Sequence, residues 1–91
     1  MAAKKGQKII GRRAKYTGQN PHLRDVIVVA AMIDDGSGDP DKHVYATSNA
    51  EIVAAGGVKP TDFVEVQPIL PDGHTGFVTY DALYSELDFQ N

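Results

Sequence analysis

The chain has no cysteine, no acidic residue before position 25 and no apolar run longer than eight residues. Without cysteine there is no disulfide framework, no thiolate nucleophile and no zinc-cysteine site. Eight apolar residues are too few to span a bilayer, and the basic amino terminus lacks the apolar stretch of a signal peptide. A cytoplasmic location is the default expectation. No internal repeat or low-complexity tract is visible.

Signatures of chemistry are missing too. Ser37 lies between Gly36 and Gly38 but lacks the strand-turn-helix context of a nucleophile elbow. Gly36, Gly38, Gly56 and Gly57 have no lysine and serine at the offsets of a phosphate loop. His22, His43 and His74 each fall in or beside a predicted loop, and no pair has metal-binding spacing. The acidic stretch with Asp34, Asp35, Asp39 and Asp41 departs from the order of an EF-hand loop and reads as a solvated turn. A protein without catalysis, metal or cofactor is expected.

What is present is charge asymmetry. Lys4, Lys5, Lys8, Arg12, Arg13, Lys15 and Arg24 give the first 24 residues a net +7, whereas the remainder sets two bases against twelve acids, a net −10. Such a split points to an anionic partner for the basic segment, or to an acidic surface that the segment or another protein answers. These seven residues are the candidate binding site. Lysines and arginines without intervening acids gain affinity for phosphates by counterion release.

With 91 residues and 42% hydrophobic content the chain forms one globular domain. Residues 1–8 read as a basic arm and 9–91 as the domain. Val26 to Ile33 (Val-Ile-Val-Val-Ala-Ala-Met-Ile) is the expected central strand, because valine and isoleucine favour a strand at that length and the lack of alternation implies cover on both faces. Ile9 to Thr17 reads as a half-buried first strand, joined to the second through the turn cluster Gly18-Gln19-Asn20-Pro21, with Leu23 tucked inward. His43 to Thr47 forms a third strand. Ser48 to Glu51 fits a capping box opening a helix of about two turns that Gly56-Gly57 stops.

Val64 and Val66 alternate with Glu65 and Gln67 in a fourth strand. Pro71-Asp72-Gly73 turns the chain into a fifth, Thr75 to Tyr80, followed by a helical turn on which Leu83, Tyr84 and Leu87 share a face. Phe63, Phe77 and Tyr84 are expected in the core, with Phe89 serving core or interface.

This order describes an all-β, β-dominated domain, and it looks like a five-stranded SH3-like barrel with one short helix and a C-terminal helical turn. A β-grasp α+β arrangement is the alternative. Gly11 to Ile33, about a quarter of the chain, resembles a KOW-type element: a basic strand (Arg12, Arg13, Lys15), a loop opened by Gly18, then an apolar strand. The resemblance implies docking on nucleic acid or a nucleoprotein. The expected function is thus a binding module contacting nucleic acid through Lys4, Lys5, Lys8, Arg12, Arg13, Lys15 and Arg24. The alternative is a protein-protein assembly or inhibitory accessory protein, of viral or mobile-element type, using the arm or the acidic loops.

Overall fold

A computed structural model describes residues 8–34, 36–37 and 39–89. Lys4 and Lys5 of the expected arm lie outside them. The chain is β-dominated: the described residues form six antiparallel strands in one sheet and one short α-helix. The strands are β1 (Arg13–Tyr16), β2 (Asp25–Ile33), β3 (Val44–Ala46), β4 (Phe63–Pro68), β5 (Tyr80–Leu83) and β6 (Leu87–Phe89), with helix α1 (Asn49–Ala54) between β3 and β4.

The central run forms the central strand. β2 pairs along most of its length with β4 on one side. On its other side it pairs first with β1 and then with β3. The full order is β5-β4-β2-β1-β6, with β3 beside the second half of β2. Three residues in a 3-10 turn, Tyr84–Glu86, carry the chain from β5 at one edge to β6 at the other. That connection reaches at most about 14 Å, whereas five strands laid flat would separate their edges by about 19 Å. The sheet therefore curls until its two edges approach. Every strand pairing among the described residues is antiparallel. The β-grasp alternative, with its helix of greater length, is not the arrangement found.

A β-bulge between Val28 and Ala30 accounts for the unalternating sequence of β2. Before it, Val26 and Val28 face the core; after it the phase has slipped by one residue, so Ala31 and Ile33 do. The interior is lined by small residues in register. Ala46, Ala31, Val64 and Ala82 form one cross-strand row, and Ala14 stands opposite Val26. Small side chains there let a tightly curled sheet close over its own core. Ile9, Leu23, Ile52 and Val58, from outside the strands, complete the core.

The helix follows its sequence signals. The Ser48 hydroxyl accepts the Glu51 N–H at 3.2 Å. The Glu51 carboxylate reaches one residue further back than a standard box, accepting the Thr47 N–H and hydroxyl, both at 3.1 Å. At the other end the N–H groups of Gly56 and Gly57 donate to the Val53 and Ile52 carbonyls, with φ of 93° and 92° that only glycine adopts without strain.

The C-terminal third departs from expectation. Instead of a strand over Thr75 to Tyr80 there is a single bridge, Ile69 to Thr75, and the paired strand is β5, starting at Tyr80. The expected helical turn is the 3-10 turn Tyr84–Glu86, flanked by strands, so the described residues form six strands where five were expected. The reason is that the last residues find hydrogen-bonding edges: β5 on β4, and β6 on β1. A spacing of apolar residues shared by helix and strand could not distinguish the two.

Phe63 and Phe77 are likewise not core residues. Phe63 is 48% exposed and Phe77 fully so. Phe63 lies one position from Val64, so the period-two alternation that buries the valines turns it outward. Tyr84 and Phe89 pack partly buried against the core, their rings 5.5 Å apart.

Candidate functional site

The basic residues that are described do not form one uninterrupted patch. Lys8, Arg13, Lys15 and Arg24 are exposed, and Arg12 is half-buried with its guanidinium 4.9 Å from the centre of the Phe89 ring. β1 exposes Arg13 and Lys15 because Ala14 between them points into the core. Register then sets their neighbours. Lys15 stands opposite Asp25 on β2 and opposite Asp88 on β6, a row of acid, base and acid. The strand that looks cationic in sequence is answered by carboxylates from both sides.

A different surface emerges behind the alanine row. One position along on each strand, Tyr45, Met32, Phe63 and Leu83 align in register across β3, β2, β4 and β5. Their side chains leave the opposite side of the sheet, and Tyr45 is 54% exposed. The adjacent row on this face holds Ala30, Glu65 and Asp81. The Tyr45 hydroxyl donates to the Glu65 carboxylate, two strands away. Its ring therefore lies across β2, which explains why Ala30 is buried although it lies outside the core cluster. The same hydrogen bond, followed by burial and the nearby charges of Glu65 and Asp81, raises the Tyr45 pKa above the usual phenol range.

Sequence reasoning passed over this row because its members come from four separate segments. The signal was present in part: Phe63 and Leu83 sit out of phase with buried Val64 and Ala82. A second exposed apolar group, Leu70, Phe77 and Val78, lies in the segment between β4 and β5.

Several polar side chains have structural duties that occupy them. Asp62 is buried at 3% exposure and accepts the Lys59 N–H at 2.8 Å and the Asp34 N–H at 3.2 Å, tying the end of β2 to the start of β4. Asn49 Oδ1 accepts the N–H groups of Ile9 at 2.8 Å and Ile10 at 2.9 Å, fixing the entry of the chain against α1. In the acidic loop, Asp34 accepts the Gly36 N–H and Asp39 the Asp41 N–H, as turn-forming aspartates do. Asp72 pairs with His74 at 3.0 Å, and that contact holds its carboxyl below the usual range. Among the described residues no three histidine, aspartate or glutamate side chains converge to hold a metal ion. At Gly18 an added Cβ would fall 2.3 Å from the Tyr16 hydroxyl and 2.4 Å from a Glu86 oxygen, so those side chains would have to move.

Among the described residues no helix is long and apolar enough to cross a membrane. No family model matches the chain, and no match is found among curated proteins or solved structures.

Proposed function

We propose that the chain is a non-catalytic, cytoplasmic binding module on an SH3-like small barrel, and that it docks another protein on the outer face of its sheet. The barrel reading is supported by the curled sheet, its strand order and the 3-10 turn that leads to the edge strand beside β1. The docking reading is carried by one observation: the apolar row Tyr45, Met32, Phe63 and Leu83, continuous across four strands and half-exposed at its two aromatic members. The solvent face of an antiparallel sheet ordinarily alternates to polar residues, and partly exposed aromatic anchors beside polar groups are the composition of a protein interface.

A second reading keeps nucleic acid or a nucleoprotein as the partner, through Lys8, Arg13 and Arg24, which are exposed, and the KOW-like pattern. Lys15 between two aspartates weakens that surface.

Photocrosslinking separates the two. With benzoylphenylalanine in place of Phe63, and separately in place of Lys8, the docking reading expects a discrete protein crosslink from position 63. That crosslink should disappear on adding Tyr45→Ser. Crosslinks to nucleic acid from position 8, with none to protein from position 63, would establish the second reading instead.

A further inference from the structure

The outer face combines an apolar row with an unbalanced pair of charges. Glu65 on β4 and Asp81 on β5 stand directly opposite each other. Like charges so placed destabilise an antiparallel pair. Glu65 accepts the Tyr45 hydroxyl, but neither carboxylate forms an ion pair with a described residue. Phe63 precedes Glu65 by two positions and Asp81 precedes Leu83 by two. Residues i and i+2 of a strand share a face and are about 6.8 Å apart. The acidic row is therefore one same-face spacing from the apolar row.

We propose that this face docks an extended, cationic segment of a partner protein, in which an apolar residue and a lysine or arginine are two positions apart. The inference rests on the protein-docking reading above and names the chemistry of the partner. Charge complementarity selects the occupant. An extended partner segment has the same two-residue period as the sheet beneath it. When its apolar side chain packs on Met32, Phe63 and Leu83, its residue two positions away delivers a cation to Glu65 and Asp81. The rings of Tyr45 and Phe63 add faces on which such a cation is attracted. Nucleic acid is the wrong occupant here, because its phosphates would meet two carboxylates.

The test uses the full chain and two labelled synthetic peptides, followed by fluorescence anisotropy at low and near-physiological salt. One peptide places valine and lysine alternately at every second position with threonine between; its counterpart has glutamate for lysine. The lysine peptide is expected to bind at least about tenfold more tightly, and E65Q/D81N to reduce its affinity by about tenfold, the effect of two exposed charge pairs. The double variant relieves a repulsion, so it should fold at least as stably, which a thermal melt checks. Equal binding of both peptides, unchanged affinity in E65Q/D81N or no binding of either peptide would overturn the proposal. The protein-docking reading fails separately, on the absence of protein crosslinks from position 63.

Discussion

On β1 Lys15 stands between Asp25 and Asp88, whereas across β4 and β5 Glu65 and Asp81 face each other with no ion pair to a cation among the described residues. The first row sets a base between two acids, although it lies on the strand that looks most cationic in sequence. The second leaves two negative charges together beside an exposed apolar row, on strands whose sequences look unremarkable. Counting charges along a chain does not find a binding surface; strand register decides which charges meet. The physical reason is distance, since directly opposed side chains approach to about 5 Å, far inside the screening length of roughly 8 Å in physiological salt.

The largest expected effect comes from breaking the frame that holds the β2–β4 side. Asp62→Ala would leave two inward amide groups, of Lys59 and Asp34, without their acceptor. The expected loss is about 3 kcal/mol, read as a lower urea midpoint at unchanged slope. An unchanged midpoint would mean that the carboxylate is dispensable and that the side chain's burial is incidental.

Reversing the balanced row comes next. Lys15→Glu would place three carboxylates abreast over Asp25 and Asp88, with an expected loss of about 1 kcal/mol that shrinks as salt is added. Stability insensitive to both the substitution and salt would show that the alternation of charge in this row contributes no energy. The complementary change, Asp81→Asn, should raise stability by about 0.5 kcal/mol by removing one of two opposed like charges. Equilibrium denaturation resolves the contrast: a charge reversed in one row should cost, and a charge removed from the other should gain.

The smallest effect concerns acid. Glu51 lies below the usual glutamate range because the Thr47 N–H, then the Thr47 and Ser48 hydroxyls, donate to its carboxylate. A depressed folded-state value means that this stabilisation is complete above the ordinary glutamate range and is lost as pH falls through the lowered one. Glu51→Gln should therefore lower stability slightly at neutral pH and make it fall less steeply over that interval, so that the two proteins converge in acid. Parallel acid titrations of the two proteins, followed by circular dichroism, would detect the difference; coincident curves would deny the carboxylate this role.

Much of the fold was legible wherever one residue's local chemistry determined it. The uninterrupted Val26 to Ile33 run named the central strand, Ser48 and Glu51 the start of α1, and Gly56-Gly57 its end. The two-residue period at Val64 and Val66 located the inward side of β4. That same period turns Phe63 outward, and it prevails over a phenylalanine's general preference for burial.

Other features depended on partners distant in sequence. The phase slip at the β2 bulge required β4 beside it. The change from an expected helical turn to β5, the 3-10 turn and β6 required two free sheet edges. The candidate site needed the most assembly, because Tyr45, Met32, Phe63 and Leu83 share no local pattern and meet only when four strands pair in one register. By itself the sequence determined a β-dominated chain, its central strand, its helix caps and its total charge, since these follow from torsional preference, side-chain alternation and composition. The tertiary structure alone decided which charges cancel and which apolar groups line up, because both depend on contacts a few ångströms apart between segments that the chain keeps tens of residues apart.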